Sequence, residues 1–166
     1  MNLEKKTLDS LVEWAKLQLT ALGQNSEFIL EPLREEASSR RYFRIISGES
    51  NFVLVYSSSE VDSSIKFSAL SSEFLNNGVK VPEVYSFDRK KGFMLIEDFG
   101  DGLYQDLLSD ENELELYNSA FYELIKIQTT DLKDLKKIDR NMASEQMNLF
   151  EYWFLEKYLS IRPSSA

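Results

Sequence analysis

The sequence predicts an α+β protein: a mixed sheet-and-helix unit first, a helical stretch after it. Three observations predict this. Apolar residues recur at helical spacing up to Gly23. Short runs of β-branched and aromatic residues then follow one another between Ser- and Gly-rich turns, broken once by a second helical periodicity. After Gly102 only helical periodicities remain.

The elements follow in order. Leu8, Leu11, Val12, Ala15, Leu19 and Leu22 lie on one face of a first helix, and Gly23 is its stop signal. Residues 28–33, 42–47 and 51–56 read as three antiparallel strands, with Gly48-Glu49-Ser50 as a tight hairpin connection. Phe67, Leu70, Phe74 and Leu75 mark a second helix ended by Asn77-Gly78. Residues 81–87 read as a fourth strand, with Pro82 suited to its start, and residues 93–96 as a fifth. Beyond Gly102, Tyr117, Phe121, Leu124, Ile125 and Gln128 share a helical face. Met147, Phe150, Phe154 and Tyr158 share another. Trp153, Leu155 and Leu159 make that last helix apolar nearly all round, so it requires cover on several sides. Nothing beyond Pro163 supplies it, and the expectation is a fragment or a partner that covers the helix over residues 147–159, a second copy included.

Composition narrows the function classes. With 166 residues, 43% hydrophobic and 28% charged, the chain is long and apolar enough to fold. Its net charge of −9 repels a nucleic-acid backbone, so no nucleic-acid partner is expected. It has no cysteine, which excludes disulfides and thiolate chemistry, and no histidine, which excludes a Ser-His-Asp triad. Without both, a zinc site is not expected, and any metal would be a hard cation held by oxygens. Asp9 and Glu13 interrupt any apolar signal-peptide core, and no apolar run approaches the ~20 residues of a spanning helix. The expectation is a cytoplasmic protein with no membrane partner.

Two segments carry candidate chemistry. In Ala37-Ser38-Ser39-Arg40-Arg41-Tyr42-Phe43-Arg44, small residues let backbone N–H groups approach a phosphate, and arginine supplies charge and a donor fork. Taken alone, the same turn reads as readily as a hairpin turn with a solvated basic edge. In Glu97-Asp98-Phe99-Gly100-Asp101-Gly102 a strand leaves the sheet and exposes backbone groups that could pair with the edge of an adenine. By composition it is equally an acidic interdomain linker. Asp98-Phe99-Gly100 mimics the kinase metal-binding triplet, but a position after the fifth strand is that of a hinge.

Four stretches in this order resemble a known family: residues 37–44, residues 78–84, residues 92–101 with Tyr104, and residues 149–154 with Tyr158. The resemblance is to the N-terminal lobe of the protein-kinase-like fold and to the aminoglycoside phosphotransferase (choline/ethanolamine kinase-like) family. Within it, the chain looks most like the bacterial cell-wall amino-sugar kinases that phosphorylate N-acetylmuramate and N-acetylglucosamine at the anomeric position. The resemblance implies a nucleotide-binding lobe over 1–98 with a five-stranded antiparallel sheet, a hinge over 99–102, and the start of an incomplete helical lobe over 103–166. It implies ATP and Mg²⁺ as cofactors and a sugar or amino-sugar hydroxyl as acceptor. Ser38, Ser39, Arg40 and Arg41 would cover the phosphates. The backbone of Glu97, Asp98 and Phe99 would meet the adenine, and Phe43, Val53 and Ile96 would wall the base.

The chain also departs from the family pattern. Residues 53–56 hold no third-strand lysine, and Tyr56 cannot supply a fixed charge. Glu73 on the second helix reads as a solvated face. The catalytic loop with its Asp base and metal-binding Asn, and the later metal-binding Asp, have no counterpart. Asp139-Arg140-Asn141 mimics that loop but precedes the aromatic helix, so it reads as a surface turn. No catalytic residue and no metal ligand is therefore assigned, and the chain is expected to be inactive alone. Two alternatives stand beside the kinase reading: a non-catalytic nucleotide-binding or protein-interaction module, and an acidic α+β interaction domain that binds no nucleotide.

Overall fold

The computed structural model describes residues 3–34, 39–57, 59–132 and 138–161. The chain divides into two compact units, residues 1–130 and 131–166. The first unit contains α1 (Lys5–Ala21), β1 (Ile29–Pro32), β2 (Arg41–Ser47), β3 (Ser50–Tyr56), α2 (Val61–Asn76), β4 (Val84–Asp88), β5 (Phe93–Glu97), α3 (Tyr104–Leu107) and α4 (Glu113–Thr129). The five strands form one antiparallel sheet in the order β1-β2-β3-β5-β4. The expected α+β architecture, five antiparallel strands with one helix between the third and fourth, is what the chain adopts. The fourth strand is shorter than its sequence run: pairing begins at Val84, after Pro82, which has no N–H to give to a ladder.

The pleat sorts the sheet into two apolar faces. Ile45, Phe52, Leu54, Phe93 and Leu95 point to one side, where they pack with Leu11, Trp14, Ala15 and Leu19 of α1. Trp14 meets Phe93 edge-on at 5.9 Å between ring centroids. Val53, Val55, Met94 and Ile96 point to the other side, where Phe67 of α2 packs. A sheet covered by helices on both faces has apolar residues on both, which is why residues 52–55 form an unbroken buried run rather than an alternation. Between Val84 and Ser86 a bulge inserts an extra residue into β4. Tyr85 there packs edge-on against Phe52, and the Ser86 hydroxyl bonds the Gln18 side chain of α1 at 2.7 Å.

Both long helices of the sheet unit stop by the same device. Gly23, at φ +70°, lets its own N–H reach Thr20 O and the Gln24 N–H reach Leu19 O. Gly78, at φ +73°, does the same with Leu75 O, and the Val79 N–H reaches Phe74 O while its side chain is buried. Only glycine takes that left-handed conformation at little cost, so the sequence stop signals are structural ones.

The second unit contains α5 (Arg140–Leu149) and a π-helix (Phe150–Tyr158). Asp139 caps α5, accepting the Met142 N–H at 2.8 Å. The Asp139-Arg140-Asn141 triplet is thus a helix start rather than a surface turn, for the ordinary reason that an aspartate outside the first turn satisfies an otherwise unpaired amide. The aromatic helix keeps its place but not its α geometry, since the wider π spacing runs through all nine residues. Phe150, Phe154 and Tyr158 form a stacked column with centroid distances of 5.1 and 5.7 Å. Phe150, Trp153, Phe154 and Tyr158 are all exposed. No helix among the described residues is long and apolar enough to cross a membrane.

Candidate functional site

Strand register brings the site residues together. Arg44 of β2 stands opposite Val53 of β3, and Val53 stands opposite Ile96 of β5. Directly opposed residues share a face, so all three lie on the α2 side of the sheet. Asp98, two residues past Ile96, continues on that side. There Arg44 closes a clamp. Its Nε donates to Asp98 Oδ2 at 2.5 Å and its Nη2 to Asp98 Oδ1 at 3.2 Å. Nη1 and Nη2 donate to Asp101 Oδ2 and Oδ1 at 2.8 and 3.0 Å. The guanidinium fork thus grips two carboxylates at once, a geometry that lysine cannot reproduce. The Asp98 side chain is 3% exposed and that of Arg44 13%, whereas Asp101 is 82% exposed. Hydrogen bonds to Asp101 and Asp98 push the Arg44 pKa further above its already high value. The bond from Arg44 in turn holds the Asp101 carboxyl below the usual aspartate range. Asp98 also accepts the Gly100 N–H at 2.7 Å, so one side chain organises the turn that follows β5.

The turn before β2 is held from the other direction. The Ser39 hydroxyl donates to Glu60, the residue that precedes α2, and the Ser59 hydroxyl donates to Ser39 at 2.9 Å. Arg40 Nη2 donates to the Ser63 hydroxyl at 2.6 Å, and Arg40 Nε lies 3.4 Å from Glu60 Oε2. The Ser39 bond and the Arg40 charge lower the Glu60 pKa. Arg40 is therefore fastened to the start of α2. Arg41 is not its equivalent. Its register partner is Tyr56, which packs with Phe93 on the α1 side. The two adjacent arginines serve opposite faces. Ser38 lies outside the described residues.

The segment after β5 exposes some backbone groups and not others. The Glu97 N–H is bonded to Glu83 O at 2.9 Å, and the Glu83 N–H to Glu97 Oε2 at 3.2 Å. The amides of Asp98 and Phe99 have no partner among the described residues. Phe99 is exposed. A flat heterocycle with donors and acceptors along one edge could meet those two amides beside the apolar Val53 and Ile96.

Of the residues assigned from sequence, the structure unites Val53, Ile96, Asp98 and Phe99. It does not place Phe43 with them. Phe43 stands opposite Leu54 and packs against the α1 cluster, because it is one residue away from Arg44 and the pleat turns it to the other face. The positions of β3 that face α2 are Val53 and Val55, so no lysine stands there. Glu73 is exposed, as a solvated helix face should be. The clamp is what the residues alone did not reveal: Arg44 and its partners are 54 and 57 positions apart in the chain, and only the register joins them.

No family model matches the chain. Three curated proteins do, all named N-acetylmuramate/N-acetylglucosamine kinase. The protein of Pseudomonas aeruginosa is 30% identical over 133 residues, covering 80% of this chain and 39% of the relative. That of Pseudomonas putida is 26% identical over 166 residues, covering 96% of this chain and 49% of the relative. That of Neisseria meningitidis serogroup B is 28% identical over 138 residues, covering 80% and 41%. The chain thus spans less than half the length of each relative it matches, and it is close to the cell-wall amino-sugar kinases.

Proposed function

We propose, from this kinship with N-acetylmuramate/N-acetylglucosamine kinases, that the chain is the nucleotide-binding part of an ATP-dependent phosphotransferase acting on a sugar or amino-sugar hydroxyl. The lobe would comprise residues 1–98, the hinge 99–102, and a helical lobe would begin at 103. The observation that carries this reading is the match to three sugar kinases. The shared face of Val53 and Ile96 beside the amides of Asp98 and Phe99 supports it, because it offers an apolar wall and a polar edge in one place.

In this reading the base lies against Val53 and Ile96, with the Glu97 carbonyl and the Asp98 and Phe99 amides along its edge. The Glu97 amide takes no part, being committed to Glu83. Arg44 positions the hinge through Asp98 and Asp101, and Ser39 and Arg40 approach the phosphates from the turn before β2. Transfer would form a bond from the acceptor oxygen to the γ-phosphorus and break the bond from that phosphorus to the departing nucleoside diphosphate. The acceptor's proton would leave to a base supplied by a catalytic loop. Mg²⁺ would neutralise the phosphates. Among the described residues no three carboxylates gather to hold such an ion, so no step is assigned to metal ligands of this chain.

Calorimetric titration with a non-hydrolysable ATP analogue and with adenosine, each with and without Mg²⁺, tests the reading. Both should bind. Arg40→Ala should weaken the analogue about tenfold or more, since a charge-assisted contact contributes about 1.5–3 kcal/mol, and leave adenosine nearly unchanged. Equal losses for both would assign Arg40 to the clasp on α2 alone, and no binding of either would remove the nucleotide reading. A second reading, a protein-interaction module, is favoured by the exposed Phe150, Trp153, Phe154 and Tyr158.

A further inference from the structure

A recess of about 340 Å³ opens between the start of α1 and the open end of the β1–β2 hairpin. Four cationic side chains line it: Lys5, Arg34, Arg40 and Arg41. No carboxylate does so among the described residues. This is unexpected in a chain with 28 acidic and 19 basic residues. Lys5 and Arg34 form no salt bridge among the described residues, so the cluster is not a set of internal ion pairs. The first turn of α1 holds Lys5 and Lys6 and no acidic residue, although the helix dipole favours the reverse. Like charges brought to one concave place raise the free energy of the empty protein, and a bound anion lowers it again.

The recess is on the α1 side of the sheet. Phe43, Pro32 and Leu8 give it an apolar floor. Phe43 and Pro32 are register partners, and Phe43 packs with the α1 cluster. Val53 and Ile96 belong to the opposite face. We propose that this recess is a binding site for a small phosphorylated molecule, separate from the Val53–Ile96 face. Arginine forks match phosphate oxygens two at a time, and the apolar floor accepts the body that carries the phosphate. The volume lies at the lower end of small-ligand pockets, about 300–1,000 Å³. The acidic remainder of the surface disfavours a polymeric anion and favours a small one. The site does not depend on the kinase reading.

Inorganic pyrophosphate is the probe, titrated into the chain at low salt without nucleotide and followed by amide chemical shifts and calorimetry. Saturable one-to-one binding is expected, with the largest shifts at Lys5, Arg34 and Arg41. Lys5→Ala with Arg34→Ala should weaken it about tenfold or more, and Arg34→Glu should do the same. Neither residue forms a salt bridge, so these variants should keep the wild-type circular dichroism and melting temperature. Lys66→Ala, an exposed lysine on α2, should bind as the wild type does. Saturation with a non-hydrolysable ATP analogue should leave pyrophosphate affinity unchanged. Absence of saturable binding, or unchanged affinity in the double variant, would overturn the proposal. Competitive displacement by the ATP analogue would also overturn it, since the recess would then be the nucleotide's own phosphate site.

Discussion

Arg44→Ala probes the clamp directly. Asp98 is 3% exposed and holds two of the four Arg44 hydrogen bonds, and after the substitution its only remaining donor is the Gly100 amide. Removing one partner of a buried ion pair costs about 3–5 kcal/mol, because the other charge is left without compensation. Asp98 sits at the end of β5, where the following turn can swing toward water, so the expected loss is at the lower end, about 2–3 kcal/mol. For a chain of this size that corresponds to a fall in melting temperature of roughly 5–10 °C. Asp101 is exposed, so Asp101→Ala should cost under about 0.5–1 kcal/mol. Arg44→Ala with Asp98→Ala should cost less than the sum of the two single changes, because no buried charge is orphaned. Urea unfolding followed by far-ultraviolet circular dichroism measures all four variants. Hydrogen exchange at residues 98–103 should rise in Arg44→Ala more than exchange in α1 does. If Arg44→Ala is as stable as the wild type, or if Asp101→Ala costs as much as Asp98→Ala, the clamp is a surface feature and the argument fails.

Three further outcomes follow from the same structure. Trp14→Ala should destabilise the first unit by about 3–5 kcal/mol, since it removes a buried ring that meets Phe93, and a loss under about 1 kcal/mol in a chemical melt would place Trp14 outside the core. Asp101 and Glu60 have folded pKa values below their unfolded ones, so their contribution is present above the ordinary carboxylate range, about pH 4, and is lost as pH falls through the folded values. The urea midpoint should therefore stay level from pH 7 to 5 and decline below that, less steeply in Asp101→Asn with Glu60→Gln. A decline of equal steepness in that variant would assign the acid sensitivity to other groups. The exposed aromatic column should make sedimentation concentration-dependent, and Trp153→Ser with Phe154→Ser should abolish that dependence, whereas a strictly monomeric wild-type chain with full amide protection over 145–160 would contradict it.

Much of the fold was legible because it rests on local physics. The spacing of Leu11, Ala15 and Leu19 marks a helix face wherever that helix docks, and Gly23 and Gly78 end helices by their own backbone freedom. Short apolar runs between Ser- and Gly-rich turns read as strands, and the two-residue turn Gly48-Glu49 sets the β2–β3 register by its length. Alternation along β2 even shows that Phe43 and Arg44 must face opposite ways. It does not show which face holds the site, and the phosphate and base assignments therefore mixed the two. Trp14 fell outside the helical pattern read from the sequence yet is part of the core, because helix α1 is covered over a wider arc than its aliphatic stripe suggests.

The sequence by itself determined the α+β class, the order of strands and helices, the helix stops, and the absence of histidine and cysteine chemistry. These follow from residue type, spacing and composition, which need no knowledge of what lies across the sheet. Tertiary structure alone decided that Arg44 reaches Asp98 and Asp101, that Arg40 binds the start of α2 while Arg41 turns to α1, and that Lys5 and Arg34 meet at one recess. Those pairings depend on strand register and on how helices dock, and both are set by the summed burial of the two apolar faces. No single residue carries that information, since a partner 54 positions away becomes a neighbour only when β2, β3 and β5 are aligned.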